Sequence, residues 1–145
     1  MHDKHISGIR AFNRFYTGII GLLDKYILDS KYTLPEVRIL YELYHHNGMA
    51  ASDIIEALDI DKGYLSRILS QFEKQKLISK KRSAEDGRST HIYLTVKGRK
   101  EFEVLNSASD SQIKNILSQL PTGDCDKLLH YMAEIKQILI KADKI

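Results

Sequence analysis

The residues with the most chemical potential in this 145-residue sequence are cations, and they are clustered. Positions 61–100 hold eleven Lys and Arg against four Asp and Glu, so 11 − 4 = +7. The remaining positions hold eleven against fifteen, or −4. Inside the block stand Lys62 and Arg67, then the run Lys80-Lys81-Arg82, then Asp86-Gly87-Arg88-Ser89. An arginine presents a planar fork of N–H donors that matches two acceptors at once, and a lysine presents a mobile point charge. A basic block in an otherwise acidic chain is the footprint of a polyanion binder. Charge alone would equally describe a solvated basic face, so the elements that carry these residues decide between the two.

Other chemistries find little support. There is no Ser/His/Asp set in a motif context, no phosphate-cradling glycine loop and no carboxylate pair in an apolar setting, so no enzyme is expected. The six histidines (His2, His5, His45, His46, His91, His130) lack a metal-ligand spacing, and neither a metal nor another cofactor is expected. The single cysteine, Cys125, cannot form an internal disulfide. It is expected to be a small buried hydrophobe rather than a redox sensor.

The block divides into a helix and a hairpin. Leu65, Ile68, Leu69 and Phe72 recur at helical spacing after Asp61, which stands as an N-cap. Leu77-Ile78 opens a strand, Asp86-Gly87 is a hairpin turn, and Ile92-Tyr93-Leu94 returns. Upstream, Ala50–Leu58 reads as a short helix with Ile54, Ile55 and Leu58 turned inward, and Asp59-Ile60 makes the turn into the next helix. Two short helices joined this way form a helix-turn-helix, whose second helix enters a DNA major groove. Thr33-Leu34-Pro35-Glu36 starts the helix before them with a capping box, and Asn47-Gly48 ends it. Residues 4–28 read as one long helix with an apolar stripe through Ile9, Phe12, Tyr16, Ile19, Leu23 and Tyr26. Downstream, Thr95 caps a helix that keeps its apolar phase through Phe102, Leu105, Ile113 and Leu120. Pro121-Thr122-Gly123 is a turn, and residues 124–141 form the last helix. The terminal helices carry more apolar surface than a small domain needs to cover, which predicts a second subunit. Hydrophobic residues make up 43% of the chain and charged residues 28%, as for a soluble domain. No run of eighteen apolar residues appears, so no spanning helix and no membrane partner are expected. The start lacks the apolar core of a signal peptide, and a cytoplasmic protein is expected.

Over essentially its whole length the sequence resembles the MarR-type winged-helix transcriptional regulators. The most specific stretch is Asp86-Gly87-Arg88-Ser89-Thr90-His91-Ile92-Tyr93-Leu94-Thr95-Val96-Lys97-Gly98, similar to the wing of that family: an Asp, a spacer and an Arg, then a strand ending in Leu-Thr-x-x-Gly. Ser66-Arg67 through Leu77-Ile78 resembles its reading helix, and Ser52–Leu58 the helix before. Ala50 stands where a Ser or Thr cap is common, Gly63-Tyr64 replaces a small polar pair, and Gly87 replaces a residue that is often basic. The opening, Arg10–Tyr16, is similar to regulator domains fused to an acetyltransferase; at 145 residues this chain is expected to act without that second domain.

The resemblance implies a mainly α fold with a small β-hairpin wing, in one domain spanning 1–145. Residues 33–95 would form the winged helix-turn-helix, and 1–30 and 100–145 the dimerisation helices. It implies a homodimer that binds a pseudo-palindromic double-stranded operator, usually as a repressor, and that a small-molecule effector releases. Arg88 would enter the minor groove, held by Asp86 and flanked by Gly87 and Ser89, and Arg67 would meet guanine or phosphate. Lys62, Gly63, Tyr64 and Ser66 would lie at the groove end of the same helix. Ser52, Lys80, Lys81 and Arg82 would contact phosphate. Phe15, Ile19, Tyr41 and Tyr44 would line an effector pocket. Ile9, Phe12, Tyr16, Leu128, Met132, Ile135 and Leu139 would form the dimer interface. The competing readings are a winged-helix protein-interaction module and a non-specific DNA-binding protein.

Overall fold

The computed structural model describes residues 2–21, 27–83, 85, 87 and 89–142. Its elements run α1 (Asp3–Ile19), α2 (Leu34–His45), β1 (Met49–Ala50), α3 (Ala51–Leu58), α4 (Lys62–Lys74), β2 (Ile78–Arg82), β3 (Thr90–Leu94), α5 (Val96–Ser118) and α6 (Thr122–Ile140). The chain forms two compact units, residues 1–107 and 108–145, with the boundary inside α5.

The first unit is built on one apolar cluster. α2 contributes Ile39, Leu40 and Leu43, α3 contributes Ile54, and α4 contributes Leu65, Ile68, Leu69 and Phe72. Ile78, Ile92 and Leu94 close it from the sheet, and Phe102 and Leu105 from α5. Phe72, Ile39, Leu43 and Ile54 have no exposed surface at all. The short helices need such a core, because one- to four-turn helices are marginal alone.

Local chemistry fixes where α2, α3 and α4 begin. Thr33 and Glu36 form the full capping box: the Thr33 N–H donates to Glu36 Oε1 at 2.8 Å, and the Glu36 N–H donates to Thr33 Oγ1 at 3.5 Å. At α3 half of that box exists, the Ala50 N–H donating to Asp53 Oδ2 at 3.1 Å. Asp61 caps α4, its Oδ2 accepting from the Tyr64 N–H at 2.9 Å. The Asp59-Ile60-Asp61 turn between α3 and α4 is tight because Asp59 takes a left-handed conformation, φ +51°.

Three antiparallel strands lie in the order β1-β3-β2. β2 and β3 pair Ile78 with Leu94 and Arg82 with Thr90, and β1 pairs Met49 with Ile92. β1 is a correction to the helix expected from Ala50: the chain first adds a two-residue strand at Met49–Ala50, and α3 starts at Ala51. That strand is held from outside itself. The Gly48 N–H donates to the Ile92 carbonyl at 2.9 Å, His91 Nδ1 lies 2.9 Å from the Gly48 carbonyl oxygen, and Asn47 Oδ1 accepts from the Leu94 N–H.

A second correction concerns the first helix, expected over 4–28. It ends at Ile19, where Gly21 takes φ +72° and Ile20 caps the last turn. Leu28 and Asp29 also lie at positive φ, and Ser30 closes a turn onto Ile27. Leu23 and Tyr26 of the expected stripe fall outside the described residues. The helix after the wing is continuous from Val96 to Ser118, as its apolar phase predicts. α6 begins at Thr122, two residues before the expected start.

In the second unit, α6 follows Pro121, and the Cys125 thiol is half-buried, donating weakly to the Leu117 carbonyl at 3.8 Å. None of the side chains of α6 is buried. Among the described residues no helix is long and apolar enough to cross a membrane.

Candidate nucleic-acid interface

α4 presents two chemically opposite sides. Leu65, Ile68, Leu69 and Phe72 enter the core, which leaves Gly63, Ser66, Arg67, Ser70, Gln71 and Lys74 facing solvent. Lys62 is exposed at the N-terminal end, where free backbone N–H groups and the helix dipole favour an anion. Gly63 leaves the first turn without a side chain, so the backbone there can approach a neighbouring surface closely. Tyr64 is half-buried, its ring against the core and under the Arg67 guanidinium, whose Cζ is 5.8 Å from the ring centroid. Ser70, Gln71 and Lys74 were not among the residues singled out from sequence. Their signal was available: they follow Arg67 at three, four and seven positions, on the same side of a helix.

α4 ends in a joint that aims the hairpin. The Leu77 N–H donates to the Phe72 carbonyl and the Lys76 N–H to the Glu73 carbonyl, both near 3 Å, with Lys76 at φ +62°. This is the six-to-one and five-to-two closure of a helix C-terminus. The chain then enters β2 directly. Thr95 fastens the far end of the hairpin to the same joint: its N–H donates to the Leu77 carbonyl at 3.0 Å and its hydroxyl to the Lys76 carbonyl at 2.6 Å. Thr95 Oγ1 also accepts from the Gly98 N–H at 3.0 Å, which caps α5.

The three basic residues of β2 do not share a face. Strand alternation puts Lys80 and Arg82 on one side and Lys81 on the other. Lys80 is drawn to Glu73 of α4, 3.7 Å away, and Lys81 lies over the Tyr93 ring at 5.4 Å. Arg82 is exposed. Beyond it, the Ser83 N–H donates to the Ser89 carbonyl at 2.8 Å and extends the hairpin. Gly87 is exposed, Ser89 is half-buried, and Asp86 and Arg88 lie outside the described residues. Ser52 is exposed on the first turn of α3.

The other candidate groups separate. Tyr41 and Tyr44 of α2 pack on Phe102, with ring centroids at 6.1 and 4.7 Å, and Arg99 lies over Tyr44. Phe15 and Ile19 of α1 are exposed. Ile9, Phe12, Leu128, Met132, Ile135 and Leu139 are also exposed, while Tyr16 is half-covered and stacks on Phe12 at 5.6 Å. Among the described residues no three His, Cys, Asp or Glu side chains gather as a metal site.

This arrangement of helix-turn-helix and wing has matches among known proteins. The MarR family model matches residues 32–90. The HTH-type transcriptional regulator MgrA of Staphylococcus aureus is 30% identical over 121 residues, 83% of this chain and 78% of MgrA. The chain belongs to the MarR family. The relatives it matches are described as transcriptional regulators. YdgJ of Bacillus subtilis, described as an uncharacterized HTH-type transcriptional regulator, is 27% identical over 100 residues; the match covers 69% of this chain and 61% of YdgJ. The same fold occurs in Streptococcus pneumoniae FabT in complex with DNA, with a TM-score of 0.79 at 15% identity, covering 96% of this chain and 99% of FabT. The likeness of fold thus extends well beyond the residues that the family model matches.

Proposed function

We propose that this MarR-family protein is a sequence-specific, double-stranded-DNA-binding repressor that acts as a homodimer on a pseudo-palindromic operator. The observation that carries the reading is the solvent side of α4, where Gly63, Ser66, Arg67, Ser70, Gln71 and Lys74 stand over a sealed apolar core. A helix presenting short polar groups, one arginine and a bare first turn suits a major groove, where base edges offer distinct donor and acceptor patterns. Arg67 reads guanine or grips phosphate, and Lys62 and Ser66 work beside it. Ser52 holds phosphate from α3. Arg82, Lys81 and Lys80 supply phosphate contacts from the wing, and Arg88 enters the minor groove, oriented by Asp86. The exposed apolar sides of α1 and α6 are covered by a second copy, and a small-molecule effector releases the DNA. FabT, a protein of like fold, is described in complex with DNA, which supports the reading.

The test is fluorescence anisotropy with the DNA upstream of the protein's own gene and with scrambled DNA of equal length, across a salt series. Preference for the native fragment by about a thousandfold or more fits a sequence-specific regulator. Equal, salt-steep binding to both fragments would leave a non-specific binder, and no binding at low salt would favour a protein-interaction module.

A further inference from the structure

We propose that Tyr64 is a specificity-determining positioning residue, which aims the Arg67 guanidinium so that α4 discriminates guanine at one position of each half-site. This rests on the reading of α4 as the DNA-reading helix. Tyr64 is fixed on two sides. Its backbone N–H is held by the Asp61 carboxylate at 2.9 Å, and its ring is half-buried against the apolar cluster. Arg67, three residues on and otherwise exposed, carries its guanidinium over that ring at 5.8 Å. A cation over an aromatic face is attracted by the ring quadrupole. An arginine free in water loses much rotamer freedom when it is fixed on a base, and one already held over a ring loses less. The neighbouring residues leave it space, because Gly63 is bare and Ser66 and Ser70 are short. Among the described residues no acidic side chain is paired with Arg67, whereas Lys80 in the wing is drawn to Glu73. Tyr64 therefore acts through Arg67 and not through its own contact with a base.

The inference is tested by selecting bound sequences from a randomised double-stranded DNA pool. The proteins compared are the wild type, Tyr64→Phe, Tyr64→Leu, Arg67→Gln and the Tyr64→Leu/Arg67→Gln double variant. Tyr64→Phe keeps the ring and is expected to keep the guanine preference. Tyr64→Leu is expected to lower that preference about two- to fivefold, the size of an exposed cation–π contact, with the slope of affinity against salt unchanged. In the Arg67→Gln background Tyr64→Leu is expected to change nothing further. A full guanine preference in Tyr64→Leu, or an equal loss in the Arg67→Gln background, would overturn the proposal. A wild-type protein that selects no sequence at all would overturn the reading of α4 itself, a different result from a selected site that ignores Tyr64. The geometry has its own check that needs no folded Tyr64→Leu variant. In NMR spectra of the free wild-type protein the Arg67 side-chain protons are expected upfield through the Tyr64 ring current, and Arg67 shifts typical of a freely exposed arginine would refute the pairing.

Discussion

Two side chains, Thr95 and Tyr32, show how single residues hold the elements around α4 in place. Thr95 bonds the end of α4 to the start of α5 through the Lys76 and Leu77 carbonyls. Gly98, one turn later, lies so close to this joint that an added Cβ would overlap the Leu77 carbonyl oxygen. This explains physically why Thr95 and Gly98 stand three apart in the Leu-Thr-x-x-Gly stretch. The Gly98→Ala variant gains helix propensity of about 1 kcal/mol, but must displace backbone at a cost of about 1–3 kcal/mol or more. It is expected to be net destabilised in urea titrations, with the wing displaced. Tyr32 is 4% exposed and its hydroxyl donates to Glu101 Oε2 at 2.8 Å. Burial first, and then the Glu101 carboxylate, push its pKa well above the usual tyrosine value. Below pH about 10 folded and unfolded chains both keep the phenol proton, so this contribution to stability is constant. Above it the unfolded chain releases the proton first, and stability falls as pH rises. The melting-temperature advantage of the wild type over Tyr32→Phe is therefore expected to be flat from pH 7 to 9 and to shrink above pH 10.

At the level of elements, helix starts were legible in the sequence and helix ends less so. Thr33, Asp61 and Thr95 announce their helices through side-chain oxygens three residues ahead of an N–H, a pattern written in residue types. The end of α4 carries no such mark. Lys76 takes the left-handed position that a glycine normally fills, because the bonds from Leu77 and Lys76 back to Phe72 and Glu73 hold it there. An L-residue in that conformation costs about 1 kcal/mol. Lys76→Gly is accordingly expected to raise stability by about 0.5–1 kcal/mol in denaturant titrations; a loss would show that the lysine side chain supplies something the backbone accounting omits. The end of α1 is likewise set by backbone conformation. Its apolar phase runs past Ile19, but Gly21 at φ +72° stops the helix, and periodicity alone cannot register that. β1 escaped notice because two residues carry no alternation; it exists through Gly48, His91 and Asn47, contacts 43–47 residues apart in sequence. On α4, the exposure of Arg67 and its neighbours could be read from helical phase. The pairing of Lys80 with Glu73, and the split of Lys80, Lys81 and Arg82 between two faces, needed the strand register.

At the scale of the molecule, apolar surface is distributed unevenly. The winged-helix core is sealed, whereas α1 exposes Ile9 at 63% and Phe15 at 65%, and α6 exposes Leu129 at 69% and Ile138 at 63%. Helical faces of this kind in a water-exposed protein mark an interaction surface. The proposed second copy accounts for them. Light scattering at micromolar concentration is expected to give twice the mass of one chain, and Met132→Glu is expected to give one chain without loss of helical signal. A monomeric wild type would contradict the dimer. The proposed placement of two copies of α4 in successive major grooves is probed by dimethyl sulfate protection on the bound upstream fragment. Guanine N7 protection is expected at two places about 10–10.5 base pairs apart, or a multiple of that spacing, with both protections lost in Arg67→Ala. Bound DNA with no major-groove protection, or with protection that survives Arg67→Ala unchanged, would contradict it.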